Sequence, residues 1–148
     1  MKVHKIDSQS QIPDHITLED IIAFLHTHLD KFTDSPSAIA KAIDYAFSPQ
    51  PGKGGYLILG TEEDRLIGCV VMNRSGMDEY IPDDFLVYIA VHKDFRGKGL
   101  GAKLMKAVQE HSSGAIALHV EYDNPAMRLY KRMGFTSKYA EMRWKSEG

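Results

Sequence analysis

The chain has 148 residues, 43% of them hydrophobic and 26% charged, with a formal net charge of −2. That length is one domain, residues 1–148, with room for its own core and no need of disulfides or a structural metal. The balance excludes a disordered or fibrous chain, and the slight negative charge argues against a general nucleic-acid binder.

Val3 to Ile6 reads as a short first strand. Thr17 then precedes Leu18, Ile21, Leu25 and Leu29, a helical spacing, with Asp20 placed to complete a capping box. Ser35 and Pro36 open a second helix as N-cap and first-turn proline, with Ile39, Ile43 and Phe47 on one face. Pro49, Pro51, Gly52, Gly54 and Gly55 stop it. Tyr56 to Leu59 and Leu66 to Met72 are apolar, strand-like runs separated by the turn Glu62-Glu63-Asp64. Asn73 to Asp84 is a loop. Leu86 to Val91 is the strongest strand signal, apolar throughout, and is expected to be central and buried on both faces. Leu100, Leu104, Val108 and His111 mark a third helix, Ala115 to Val120 another strand, and Pro125 to Met133 a fourth helix ended by Gly134. Tyr139 to Trp144 alternates and predicts a closing strand.

The order β-α-α-β-β-β-α-β-α-β predicts an α/β fold: a mixed sheet with helices on its faces and a right-handed crossover. No apolar run approaches the roughly 20 residues that span a bilayer, and the opening residues lack the apolar core of a secretory signal, so no membrane partner is expected. The one cysteine, Cys69, rules out an internal disulfide and a multi-cysteine metal site. No metal is expected, and a reducing cytoplasm is the default location.

The informative segment joins the strongest strand to the third helix: Val91-His92-Lys93-Asp94-Phe95-Arg96-Gly97-Lys98-Gly99-Leu100-Gly101-Ala102. Glycines there let backbone N–H groups approach a ligand, and the following helix adds its positive end, which suits a pyrophosphate. Lys93, Arg96, Lys98, Lys103 and Lys106 concentrate positive charge in a chain that is net negative. The same stretch satisfies the dinucleotide fingerprint G-x-G-x-x-G/A, with Glu121 near a ribose-binding position. But His92 to Arg96 separate strand from glycines, and too little chain follows Glu121 to complete a doubly wound sheet.

The loop fits R/Q-x-x-G-x-G/A, and here the chain resembles the GNAT superfamily of acetyl-CoA-dependent N-acetyltransferases. Its element order is similar along essentially the whole length. Asp123-Asn124-Pro125-Ala126-Met127-Arg128-Leu129-Tyr130-Lys131-Arg132-Met133-Gly134-Phe135 is similar to the family's N-x-x-A-x-x-L-Y-x-x-x-G-F. Ala126, Leu129, Tyr130, Gly134 and Phe135 match in register. Asp123 stands where the family usually has Asn, with Asn124 one residue late, so either could meet the pantetheine arm.

The resemblance implies transfer of an acetyl group from acetyl-CoA to a primary amine by direct attack. It implies that the backbone of Arg96, Gly97, Lys98, Gly99, Leu100, Gly101 and Ala102 holds the pyrophosphate. It further implies that the Ile89-Ala90-Val91 strand pairs with the pantetheine arm, which requires this strand and the next to splay apart, with Ile89 or Val91 donating to the oxyanion. Tyr130 is the expected general acid and Glu121 the first candidate base, with Glu79, Asp83, Asp84, His119 and water as alternatives. Asp30, Asp34, Asp78, Glu79, Asp83 and Asp84 predict an acidic acceptor neighbourhood between the first helix pair and the Asn73–Asp84 loop, attractive to a cationic amine. The acceptor is a small-molecule or peptide amine. The closing strand, as a sheet edge, is able to pair with a second copy to form a homodimer. A non-catalytic CoA-binding module on the same fold is the alternative reading.

Overall fold

The computed structural model describes residues 1–148. Local chemistry sets the first helices. Thr17 accepts from the Asp20 amide and Asp20 from the Thr17 amide, the reciprocal cap expected for α1, Leu18–His28. Ser35 caps α2, Pro36–Ala46, through the Ala38 amide, with Pro36 in the first turn. Between them Asp30–Phe32 makes one 3-10 turn.

A five-stranded sheet follows in the order β1 (Lys2–Ile6), β2 (Gly55–Glu62), β3 (Arg65–Arg74), β4 (Asp84–Val91) and β5 (Ile116–Leu118). Its pairings are antiparallel except the parallel one between β4 and β5. Helix α3, Leu100–His111, makes the crossover, and α4, Met127–Arg132, follows β5. Alternation along the strands builds two cores. Leu57, Leu59, Cys69 and Val71 meet α1 and α2 through Ile21, Leu25, Ile39 and Ile43. Tyr56, Ile58, Val70 and Met72 meet α3 and α4 through Leu104, Val108 and Tyr130. Cys69 is fully buried, and burial alone drives its thiol pKa far up, so it is packing. No helix is long and apolar enough to cross a membrane.

The sheet opens between β4 and β5. Tyr88 lies opposite Val71 and Leu86 opposite Met72, so Val87 is an extra residue, a bulge in β4. Strand β5 pairs only with Asp84, Phe85 and Leu86. Beyond Leu86 the outer edge of β4 has no strand beside it. This splay matches the expected one and corrects another expectation. Strand β4 is not buried on both faces: its residues alternate buried and half-buried, while β2 and β3 are buried nearly throughout. The departure of β5 leaves Val87, Ile89 and Val91 only half covered.

The closing strand is also corrected. Residues 135–148 form no strand, and Tyr139, Met142 and Trp144 are 81%, 91% and 86% exposed. Alternation specifies which face a strand would bury, but a ladder also needs a partner edge, and three-residue β5 offers little of one. Strand β5 and α4 are likewise shorter than their apolar patterns predict.

Helix α3 approaches the sheet over glycines. Gly60 and Gly68 face each other across β2 and β3, beneath Leu104. A Cβ on Gly68 would stand 2.8 Å from Leu104 Cδ1, and Leu104 is itself fully buried. Gly68→Ala is therefore expected to destabilise the fold by about 1–3 kcal/mol through overpacking. Denaturant unfolding should show a smaller cost for the same change in a Leu104→Val background.

Candidate active site

The chain leaves β4 through His92 and a single 3-10 turn, Lys93–Phe95, before the glycines. Gly97 and Gly99 both take φ of +78°, left-handed values that disfavour a side chain. An added Cβ would meet nothing within 4 Å at either, so the requirement is conformational rather than spatial. Gly101 differs: its Cβ would lie 3.2 Å from Leu129 Cδ2, so this glycine lets α4 pack close to α3. Gly99 is the N-cap of α3 and has no side chain to cap with. The first intrahelical bond runs from the Lys103 amide to the Gly99 carbonyl, which leaves the amides of the preceding turn free as donors. Free amides, the positive helix end and adjacent lysines make this loop fit an anionic phosphate.

The Arg96 side chain turns its charge away from that loop. Its Nε donates to the Val91 carbonyl at 3.1 Å and its Nη2 to the His28 carbonyl at 2.7 Å. Its Nη1 pairs with Asp30 at 2.8 Å. One guanidinium thus ties the end of β4 to the end of α1. His28 and His92 stack beside it with ring centroids 4.2 Å apart. The Lys93 amide donates to His28 Nδ1 at 3.2 Å, which requires that nitrogen to be unprotonated. Burial, then the neighbouring His92 and Arg96, pull the His28 pKa below its ordinary value, and Asp30 opposes them.

The other lip of the splay is the segment after β5. Glu121 is exposed there, its carbonyl accepting from the Asn124 amide. Asn124 Oδ1 accepts from the Ala126 amide at 2.9 Å. Asp123 instead bonds Lys31 at 2.9 Å, across the opening. That bond raises the Lys31 pKa and lowers that of Asp123. Tyr130 is buried among the side chains that Ile89 and Val91 pack against, with Phe135 edge-on to its ring at 6.0 Å. Its hydroxyl makes no hydrogen bond within the protein, and no fully buried polar atom lacks a partner, so the hydroxyl keeps solvent access. Burial pushes its phenol up to about 12. Ala90 faces the opposite core, and the Val91 carbonyl is already occupied by Arg96.

The expected acidic neighbourhood divides in two. Asp30 and Asp34 lie at the α1–α2 end. Asp83 and Asp84 lie at the start of β4, in a separate polar cavity of about 250 Å³ with Asp78, Arg74 and His111. Asp83 is engaged by the Ala115 amide. Asp34 reaches Tyr88 on the α1–α2 face of β4, whereas the Asp83–Asp84 cavity is lined by Tyr56 and His111 on the α3 face, so the expected single acidic neighbourhood is corrected to two. No group of three His, Cys, Asp or Glu is placed to hold a metal.

Sequence reasoning passed over Tyr88, which donates to Asp34 Oδ2 at 2.6 Å. It was hidden in an apolar run; its hydroxyl, the only polar side-chain group from Leu86 to Val91, was the available signal. The pinning roles of Arg96, His28 and Lys31 had no signal, because their partners are remote in sequence.

Residues 53–137, more than half of the chain, match the family model described as an acetyltransferase (GNAT) domain. The chain belongs to the GNAT acetyltransferase family. Among curated relatives, N-alpha-acetyltransferase 30 of Schizosaccharomyces pombe is 28% identical over 54% of this chain and 57% of its own. Mycothiol acetyltransferase of Actinosynnema mirum is 37% identical over 63% of this chain and 30% of its own. This GNAT chain therefore aligns with little more than half of one relative and under a third of the other. An aminoglycoside N-acetyltransferase solved in complex with CoA shares the fold, with TM-score 0.70, 13% identity, and coverage of 99% of this chain and 95% of that one.

The His28 arrangement gives a pH dependence with a definite sign. A histidine pKa lowered by folding means the unfolded chain binds the proton more readily. Its contribution is complete above an unfolded value near 6.5 and is lost as pH falls through the lower folded value. Thermal unfolding between pH 7.5 and 5 should show this loss in the wild type. His28→Asn, which still accepts from the Lys93 amide, should flatten that part of the curve.

Proposed function

We propose that this GNAT chain is an acetyl-CoA-dependent N-acetyltransferase acting on a primary amine by direct attack. The observation that supports it most is the free outer edge of β4, running into a loop whose amides are unpaired. That edge suits the amide-bearing pantetheine arm as an added strand, and the loop suits the pyrophosphate. Ile89, Ala90 and Val91 form the strand contact, and Arg96, Gly97, Lys98, Gly99, Leu100, Gly101 and Ala102 the phosphate cradle. Asn124, with its oxygen committed to the α4 entry, has its side-chain NH₂ left for the arm.

The amine nitrogen attacks the thioester carbonyl carbon, and the charge that develops on oxygen is met by the amide of Ile89 or Val91. The C–S bond then breaks, giving the acetylated amine and CoA. Glu121, directly or through water, removes the proton that the attacking nitrogen sheds. Tyr130 serves the sulfur. Its phenol, held up at about 12, stays protonated at working pH. A thiol near pKa 8.5 is a much stronger acid than this phenol. Tyr130 therefore acts by hydrogen-bonding the sulfur as negative charge grows there, with proton transfer late rather than early.

Thiol release from acetyl-CoA across a panel of primary amines tests the reaction. Release above the amine-free rate is expected with at least one of them; acetyl-CoA binding with no release from any amine would leave a CoA-binding module instead. In single turnover, Tyr130→Phe is expected to slow the chemical step by roughly 10²–10³-fold, the cost of losing one hydrogen-bond donor to developing charge, while acetyl-CoA affinity holds. A wild-type rate would reduce Tyr130 to packing.

A further inference from the structure

Asp30, Asp34, Glu121 and Asp123 lie in the segments that flank the splay, and they are not equivalent. Asp30 is neutralised by Arg96 at 2.8 Å and Asp123 by Lys31 at 2.9 Å. Glu121 lies close enough to Lys31 for its charge to act on that amine. Asp34 has no cation within ion-pair distance; its one side-chain partner is the neutral Tyr88 hydroxyl at 2.6 Å. Arg143 lies within reach of the Asp34 charge but is itself held by Glu141. Asp34 is exposed at the start of α2, and its carbonyl is fixed by His26 Nδ1 at 3.0 Å. Its second carboxylate oxygen, Oδ1, has no hydrogen-bond partner.

Tyr88 is what makes this carboxylate more than a surface charge. It is 8% exposed and immediately precedes Ile89 on the unpaired stretch of β4. Burial first, then the bond to Asp34 and its charge, push the phenol pKa far up, so Tyr88 stays a donor at any working pH. A short bond from a rigid strand therefore fixes Asp34 relative to the backbone assigned to the acetyl group. On β4, Tyr88 and Ala90 belong to the α1–α2 core, while Ile89 and Val91 pack toward α3 and α4. Asp34 thus stands on the opposite side of the strand from the arm-binding elements, where an attacking amine must enter.

We propose that Asp34, positioned by Tyr88, is the counter-charge that captures the acceptor as a cationic alkylammonium and seats it against β4. This rests on the N-acetyltransferase reading and adds the charge state of the acceptor to it. A carboxylate with one oxygen occupied and one free can take one ammonium N–H bond without losing its hold on the strand. The amine then gives up a proton before attack. Asp34 selects and orients, and is a positioning residue for a cation rather than for amines in general.

The test compares two acceptor types with acetyl-CoA saturating: alkylamines, charged at pH 7 (spermidine, lysine methyl ester, a short peptide with a free N-terminus), and an arylamine, uncharged there. Asp34→Asn keeps the acceptor atom for Tyr88 and removes only the charge. It is expected to raise KM tenfold or more for the alkylamine that the wild type uses, with acetyl-CoA affinity within twofold and the arylamine rate unchanged. Tyr88→Phe should raise the alkylamine KM by less, and the double variant should be no worse than Asp34→Asn alone. An unchanged alkylamine KM in Asp34→Asn, or equal losses on both acceptor types, would overturn the proposal. If the wild type binds acetyl-CoA yet acetylates no amine, the enzymatic reading itself fails. Loss confined to the Asp34 variant cannot be mistaken for that result.

Discussion

Strand β4 loses its outer neighbour at Leu86, and the rest of the site depends on that loss. A parallel pair normally continues as long as both strands remain extended, because each unpaired N–H and C=O left away from water is costly. Here the Val87 bulge turns the second half of β4 at the point where β5 stops pairing. The strand keeps its inner ladder to β3 down to Val91, so it stays rigid while one edge stays open. An edge of this kind is a liability unless something extended lies along it. The half-buried side chains of Ile89 and Val91 also keep a face that the protein itself does not finish covering.

Holding such an opening in shape requires contacts across it. Arg96 is the most connected of these, because a guanidinium can bond two carbonyls and a carboxylate at once. Individually, exposed ion pairs such as Arg96–Asp30 and Lys31–Asp123 contribute little to stability. Their value here is geometric. They fix the short segment between α1 and α2 to both lips of the splay. The α1–α2 connection is thereby joined to the loop after β4 through Asp30 and to the segment after β5 through Lys31.

Much of this was legible in the sequence, for local reasons. Thr17 with Asp20, and Ser35 with Pro36, announce their helices because capping is written within four residues. The glycine loop and the Leu129–Tyr130 segment are legible because their residue types and spacing follow the family's pattern, within the residues that match its model. What was not legible depends on distant partners. The apolar run Leu86–Val91 looks the same whether its outer edge meets a strand or a ligand. Tyr139–Trp144 has the alternation of a strand and no edge to pair with. Asp34 and Asp84 carry the same charge on different faces of the sheet, and no pattern in the chain says that only Asp34 is held by Tyr88.

In the proposed enzyme the open edge of β4 and the first turn of α3 together form the acetyl-CoA surface. Residue-resolved amide hydrogen exchange, with and without saturating acetyl-CoA, addresses it directly. Exchange should slow at amides within Val87–Val91 and Gly97–Ala102, and remain unchanged along β1 and at the Asp83–Asp84 cavity. Acetyl-CoA binding that leaves both segments as fast as before, or that protects the Asp83–Asp84 cavity instead, would contradict the account.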